Sequence, residues 1–326
     1  MKKTIQIILI LALTFSLSLK GAYALEKIKI GLLVPLTGKN YEIGQSIIKS
    51  TRLAVNQIND LSIEIIPRDT ASTPEVTLRS AKELSQLGVK IVIGPVFNKS
   101  LIYLDELNDL TFLSLTNKSD YGSQNIINAG INATSQLNAI KKFLELNEIK
   151  KTIFLTPNIS YKNEIDEAIS NSKIKLVERY IYSSKPTILT NQIEKITKYE
   201  KRKQNLADEI TRLEESSEDN KEQLIEELKK KDTLGSVGFD SIIIADFDEG
   251  LKSVTTSLFY TDISPKKKYF ITLNQWFDES LLKETSSQPL YFPSANKNNY
   301  DDFSFKYFEK YNQYPNQLSF LSYDLV

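Results

Sequence analysis

Short runs of β-branched residues alternate with longer segments of helical period from residue 27 onward. The strand-like runs lie at residues 27–34, 61–67, 90–93 and 111–115. The helical segments between them lie at residues 41–59, 73–87 and 98–108. Strands that alternate with helices in this way form a parallel sheet with helices on both faces. The sequence therefore predicts an α/β fold with a doubly wound sheet.

The same alternation begins again after residues 126–128. Its second round consists of a helix at 135–146, a strand at 152–156, a helix at 161–170 and strands at 173–180, 241–245 and 268–272. Two wound sheets imply two lobes with a cleft between them. We place the first lobe at residues 25–130, the second at 131–273 and a return to the first lobe at 274–326. The apolar helical pattern at 318–326 stops without a capping residue, which indicates a truncated sequence.

A charged segment without glycine or proline, residues 187–232, interrupts the second lobe. Its apolar residues recur three, four or seven positions apart on both sides of a break at residues 216–220, which predicts an antiparallel helical hairpin. A first arm of about 28 residues would be about 40 Å long, more than a crossover between strands requires. The hairpin is either a solvated helix pair on its own lobe or a projecting arm that binds a partner.

The N-terminal residues have the three parts of a secretory signal: Lys2 and Lys3, an apolar run at 5–19, and a small-x-small site that ends at Ala24. We predict that residues 1–24 are a cleaved signal peptide and that the remaining chain is periplasmic. The alternative is an uncleaved membrane anchor, but the apolar run is shorter than the roughly 20 residues of a membrane span. A lipid anchor would need a cysteine at the cleavage site, and the chain has none.

Composition excludes several kinds of chemistry. Without histidine or cysteine the chain lacks the side chains of Ser-His-Asp and Cys-His catalysis, of disulfides and of nearly all zinc sites. Lysine plus arginine and aspartate plus glutamate each number 41, so the balanced charge offers no footprint for nucleic acid. Asp246, Asp248 and Glu249 allow glycoside hydrolysis by paired carboxylates, but acidic residues commonly open a helix. We expect no catalytic residue, metal or cofactor.

Four loops after predicted strands are the candidate ligand site, because ligands of open α/β sheets sit at the carboxyl ends of strands. The loops are 36–40, 94–100, 116–119 and 245–249. Their hydroxyl, amide and carboxylate groups suit a polar ligand, and the selected residues are Thr37, Asn98, Ser100, Thr116, Asn117 and Asp246. The alternative is that these residues are helix caps and turn formers.

Two stretches carry a resemblance to a known family. The chain has IGLLVPLTG at residues 30–38 and IGPV at residues 93–96, and with these it resembles the type I periplasmic binding proteins of the leucine-binding family. The resemblance covers nearly all of residues 27–326. It implies two Rossmann-like lobes, joined by three crossovers, that close over a ligand like a hinge.

Two branches of that superfamily compete: receptors of amino-acid transporters, and activators of the penicillin-binding proteins that synthesise peptidoglycan. The resemblance to receptors implies that Ser100 and Thr116 hold a ligand carboxylate and that Tyr161 is the cleft tyrosine. Receptors present an acidic residue after the strand at 268–272, whereas this chain has LNQW there, and Trp276 completes the candidate set.

Similarity to the activators extends over several phrases. They are KDTLG at 231–235, FD at 239–240, AD at 245–246, LNQW at 273–276, FEKY at 308–311 and LSYD at 321–324. The resemblance thus implies a non-catalytic regulator that contacts a penicillin-binding protein through residues 187–232 and an outer lobe face. The alternative is a receptor that closes on an amino acid or another small polar solute and docks on an ABC permease.

Overall fold

The computed structural model describes residues 27–60, 62–117, 123–273 and 285–326. They form two α/β lobes, each built on a five-stranded sheet in which every strand pairing is parallel. The predicted fold class is therefore confirmed. The predicted signal peptide lies outside the described residues.

The first lobe follows the predicted alternation. Its elements are β1 (Ile28–Val34), α1 (Tyr41–Ile58), β2 (Ile63–Asp69), α2 (Pro74–Gln86), β3 (Ile91–Ile93), β4 (Thr111–Ser114) and β5 (Ile126–Asn128). The strand order is β2-β1-β3-β4-β5. Successive side chains of β1 point to opposite faces, so Leu33 packs with Leu84 of α2 and Leu32 packs with Ile47 of α1. The sheet is thus buried on both sides.

The second lobe repeats this connectivity. Its elements are α3 (Ala133–Leu146), β6 (Thr152–Pro157), α4 (Lys162–Ser172), β7 (Glu178–Tyr182), α5 (Pro186–Ile196), α6 (Tyr199–Glu214), α7 (Lys221–Lys229), β8 (Ser241–Ile244), α8 (Asp248–Tyr260), β9 (Tyr269–Thr272) and β10 (Leu290–Tyr291). The order β10-β9-β8-β6-β7 is that of the first sheet with the strands renumbered. Leu155 and Ile244 pack with α5 and α8 on one face, and Phe154 and Ile243 pack with α3 and α4 on the other.

The charged segment differs from the predicted long hairpin. A first arm of 28 residues is wrong, because the helix ends at Ile196 and Lys198 adopts a left-handed conformation with φ 53°. Leu189 and Ile193 of α5 are buried in the core of the second lobe, so α5 is the ordinary crossover helix between β7 and β8. The hairpin consists of α6 and α7 alone, and α6, with 16 residues, is about 24 Å long.

Two smaller predictions were also wrong. In place of a helix over 98–108, the chain makes separate 3₁₀ turns at Asn98–Leu101 and Leu104–Glu106. Leu101 and Leu104 are both buried, and a spacing of three residues suits the tighter period of a 3₁₀ turn. The strand expected at 173–180 begins only at Glu178, where β7 starts to pair with Ile153 of β6.

The chain returns to the first lobe later than residue 274. Strand β10 still belongs to the second sheet, whereas the next helices, α9 (Lys297–Tyr311) and α10 (Ser319–Asp324), pack against α1. Leu318 and Leu321 join the core beneath α1. Within the described residues, no helix has the length and apolar content needed to cross a membrane.

Candidate functional site

Both sheets have a point where the strand order reverses, and most of the candidate residues lie at these two points. In the first sheet the reversal lies between β1 and β3, whose following loops carry Thr37, Asn98 and Ser100. In the second sheet it lies between β6 and β8, which are followed by Tyr161 and Asp246. Helices leave such a point in opposite directions and open a crevice at the carboxyl ends of the strands. Most of the residues selected from the sequence therefore lie where the strand order of each lobe opens a crevice.

Thr37 lies in a loop that is closed by a carboxylate. Its hydroxyl donates to Asp69 Oδ2 at 2.6 Å, and the backbone N–H groups of Leu36 and Ala71 donate to Asp69 Oδ1 at 2.7 and 2.8 Å. Burial disfavours the charged form of Asp69, but these hydrogen bonds outweigh burial and lower its pKa. Asp69 thus holds the loop after β1 against the end of β2 by hydrogen bonds, and one of these bonds engages the Thr37 hydroxyl.

Ser100 and Asn98 differ from Thr37 because each has a buried side-chain oxygen without a hydrogen-bond partner among the described residues. Ser100 is 1% exposed, and the two oxygens are its Oγ and Oδ1 of Asn98. An unpaired buried polar atom costs about 1–3 kcal/mol. Such a cost at the carboxyl end of β3 is what a site that receives a polar ligand would show.

Thr116 lies at the end of the neighbouring strand. It is buried, and its N–H donates to Ser114 Oγ at 3.3 Å, while Asn117 is exposed. Gly130 comes so close that a Cβ atom there would lie 1.9 Å from the Thr116 carbonyl oxygen, which explains the glycine. Thr116 is thus fixed beside the loop that carries Ser100, because β3 and β4 are paired.

Asp246 is the centre of a small polar cluster in the second lobe. It is 8% exposed and accepts hydrogen bonds from Tyr182 Oη at 2.5 Å, from Tyr161 Oη at 3.4 Å and from the Phe247 N–H at 2.9 Å. Tyr161 also donates to the Ala245 carbonyl at 3.1 Å. Burial raises the pKa of both phenols, and the neighbouring carboxylate raises each further. The two hydroxyls therefore remain donors at neutral pH.

Gly250 lets the Asp246 carboxylate lie against the first turn of α8. A Cβ atom at residue 250 would be 2.5 Å from both carboxylate oxygens. The partially positive N-terminal end of α8 favours a negative charge there. The cluster of Asp246, Tyr161 and Tyr182 thus joins the ends of β6, β7 and β8. The Asp246 carboxylate, which the sequence analysis selected as a ligand-binding group, already accepts hydrogen bonds from two tyrosines and an N–H group.

The sequence did not reveal the partners Asp69, Tyr182 and Gly250. Asp69 and Tyr182 each stand at the carboxyl end of a strand, β2 and β7, and that position is the signal that could have identified them. Trp276 and the loop residues 118 and 119 lie outside the described residues.

Comparisons with known proteins agree with this architecture. Residues 27–173 match a family model described as periplasmic binding protein. No curated protein matches the sequence. Three solved structures are similar in fold. They are a putative branched-chain amino acid ABC transporter protein from Rhodospirillum rubrum, an ABC transporter substrate-binding protein from Desulfitobacterium hafniense in complex with Leu, and the C-domain of LpoA from Haemophilus influenzae, a regulator of PBP1A.

All three likenesses extend over most of both chains. The R. rubrum structure has a TM-score of 0.63 at 12% identity and covers 91% of this chain and 81% of its own. The D. hafniense structure has 0.55 at 17% identity, with 92% and 82% covered. The LpoA domain has 0.59 at 12% identity, with 91% and 83% covered. Over residues 27–173 the chain matches the periplasmic binding protein family, and its two wound lobes have the type I periplasmic binding protein fold.

Proposed function

We propose that this protein is a non-catalytic, periplasmic regulator of peptidoglycan synthesis that contacts a penicillin-binding protein through the α6–α7 hairpin. One observation carries the proposal: α5 already completes the crossover from β7 to β8, so the hairpin is additional to what the fold requires. The fold likeness to the LpoA domain, itself a regulator of PBP1A, supports the same class of partner.

The hairpin is fixed to the lobe by a buried arginine. Arg202 of α6 is 4% exposed, and its guanidinium donates to the carbonyls of Thr197 and Thr261 and to the Thr233 hydroxyl. Burial lowers the pKa of this guanidinium, and Asp262, 3.9 Å away, partly offsets the shift. The contacts join the start of α6, the end of the hairpin and the end of α8. A surface held in this way loses little conformational entropy when a partner binds.

The rest of the hairpin has one buried leucine on each helix and a charged exterior. The two buried leucines are Leu213 of α6 and Leu228 of α7. Arg212 forms ion pairs with Glu209 and Glu218, which ties the turn to α6. Its exposed residues are mostly lysine, glutamate, aspartate and amide side chains. Charged rims of this kind steer association and set partner choice.

Deletion of the hairpin, with its anchor Arg202 kept in place, tests the proposal. The side chain of Asn205 donates to the Leu234 carbonyl at 3.3 Å, so two glycines can join Asn205 to Thr233 in place of residues 206–232. This deletion keeps Arg202 and its partners. We expect it to abolish binding to the purified bifunctional penicillin-binding protein of the same bacterium and stimulation of its transpeptidase activity.

Two double variants test the same surface without a deletion that could misfold. Lys229→Glu with Lys230→Glu reverses two exposed charges at the end of α7, and Lys82→Glu with Lys90→Glu makes the same change on the first lobe. We expect the first pair to weaken binding and the second to have no effect, by surface plasmon resonance. If the deletion variant and the Lys229→Glu, Lys230→Glu variant both bound the penicillin-binding protein fully, the hairpin would not be the contact surface.

The unpaired atoms of Ser100 and Asn98 favour a second candidate function, that of an ABC transporter receptor for an amino acid or another small polar solute. A ligand that binds the folded state raises Tm. A thermal-shift panel of amino acids should then show a hit that Ser100→Ala abolishes. No shift with any amino acid would argue against an amino-acid receptor.

A further inference from the structure

A cavity lies on the first lobe, between α1 and the loop that joins α9 to α10. Its volume is about 640 Å³, within the range of small-molecule sites. None of the described residues selected for the cleft site lines it. Its lining is instead polar and aromatic, and the side chains that matter for a ligand are Tyr41, Glu42, Gln45, Lys49, Tyr314 and Asn316.

The floor and one wall of this cavity are fixed by hydrogen bonds. Ser46, buried at the floor, donates from its hydroxyl to Ser319 Oγ at 3.0 Å and accepts from the Asn316 N–H at 2.8 Å. Lys49 Nζ donates to Gln313 Oε1 at 2.7 Å and so bridges α1 to the opposite loop. The cavity is therefore formed before any ligand arrives, which reduces the entropic cost of binding.

The upper part of the lining has hydrogen-bonding capacity that the described residues leave unused. The side chains of Tyr41, Glu42 and Gln45 make no hydrogen bond or ion pair with any other described residue. These three groups supply a phenol, a carboxylate and an amide, which together can both donate and accept. They follow one another along the exposed face of α1, at positions 41, 42 and 45.

An aromatic ring is presented on the other side of the opening. Tyr314 is 79% exposed, yet its ring is held against Phe308 with centroids 4.9 Å apart and an angle of 32°. Tyr41, on the α1 side, is 49% exposed. A large exposed aromatic surface beside a preformed polar cavity is a common feature of binding sites.

The charges of the lining point to the ligand class. The cavity has one carboxylate, Glu42, and one ammonium, Lys49, so it offers no net charge to a phosphate or a polyanion. A sugar ring has an apolar C–H face, which packs on an aromatic ring, and a rim of hydroxyls, which pair with amide and carboxylate groups. We propose that this cavity binds a neutral oligosaccharide, with Tyr41 and Tyr314 against the sugar rings and Glu42 and Gln45 on their hydroxyls. This site does not depend on the role of the hairpin.

Isothermal titration calorimetry of the whole chain with a tetramer of N-acetylglucosamine and with cellotetraose tests the proposal. We expect saturable binding of at least one of them, weakened about tenfold by Tyr314→Ala and also weakened by Glu42→Gln. Tyr314 is so exposed that its replacement should leave Tm unchanged. Tyr260→Ala, which removes a tyrosine that is 57% exposed on the second lobe, is the matched control and should leave affinity unchanged.

Three outcomes would overturn the proposal. The first is the absence of binding by either oligosaccharide at millimolar concentration. The second is binding that Tyr314→Ala and Glu42→Gln leave unchanged, which would place the sugar elsewhere on the protein. The third is saturable, Tyr314-dependent binding of a neutral tetrapeptide without binding of either sugar, which would make the cavity a peptide site.

Discussion

Replacement of Arg202 by methionine should loosen the hairpin while the rest of the second lobe stays folded. The guanidinium lies 3.0 Å from the Thr197 carbonyl and 2.6 Å from the Thr233 hydroxyl, and it also donates to the Thr261 carbonyl. Thr197 and Thr261 are fully buried. Methionine fills the space of the arginine stem but supplies none of these donors.

The magnitude follows from the groups that the substitution leaves unpaired. The Thr233 hydroxyl keeps a partner, because it donates to Asp262 at 2.6 Å, and Asp262 is partly exposed to water. The buried carbonyls of Thr197 and Thr261 each lose a side-chain hydrogen-bond donor, and each loss costs about 1–2 kcal/mol. The free energy of unfolding should therefore fall by about 3 kcal/mol. For a unit of this size that corresponds to a Tm lower by about 6–12 °C.

Thermal unfolding followed by circular dichroism measures the loss, and hydrogen exchange of residues 199–229 locates it. Arg212→Met is the matched control on the same helix, since Arg212 is exposed and its ion pairs are open to solvent. We expect the control to leave both measurements unchanged. If Arg202→Met lowered Tm no more than Arg212→Met, or left exchange in the hairpin unaltered, the anchor would not act as described.

Three further predictions concern the candidate site. Gly250→Ala should lower the free energy of unfolding by about 1–3 kcal/mol, as urea titration would show, because its Cβ would lie 2.5 Å from the Asp246 oxygens. Tyr182→Phe should cost about 1.5–3 kcal/mol at pH 7. Because burial and Asp246 raise the Tyr182 pKa, the wild type should lose stability above about pH 10, where only the unfolded phenol ionises, and Tyr182→Phe should flatten that loss. Ser100→Ala should raise the free energy of unfolding in the absence of ligand by about 1–3 kcal/mol, because it removes a buried hydroxyl that has no partner among the described residues; a loss of stability would mean that Ser100 has a structural partner.

The fold could be predicted because its strands have a strong local signature. The β-branched run that became β8 is buried throughout, and the one that became β1 is buried from Gly31 to Val34, and their composition alone marks them as strands. The break after Ile196 has no such signature. Lysine has no preference for positive φ, and Lys198 adopts φ 53° only because α5 packs on its sheet while α6 is held by Arg202. Tertiary contacts of this kind are not visible in local periodicity.

The candidate site could be predicted in part. Topology sends the loops after β1, β3, β6 and β8 to the two reversal points, so a search of loops after strands finds Thr37, Ser100 and Asp246. Whether these side chains are already hydrogen-bonded depends on residues far away in sequence. Asp69 is 32 positions from Thr37, and Tyr182 is 64 positions from Asp246. Only the folded chain shows that the side chains of Thr37 and Asp246 are already hydrogen-bonded, and that the Ser100 hydroxyl has no partner within the described part of the chain.

The two candidate functions meet on one helix, and this affects how their tests are interpreted. The N-terminal turn of α8 lies against the Asp246 carboxylate, and its C-terminal neighbour Thr261 accepts from Arg202 at the base of the hairpin. A rigid helix of 13 residues thus joins the crevice to the proposed partner surface. If a ligand shifted this helix, ligand and partner would change each other's affinity by the same factor. Loss of synthase binding in the hairpin deletion, with a ligand response unchanged by it, would show two separate activities. A ligand that altered synthase affinity only when Arg202 is present would show that the crevice regulates the hairpin through α8.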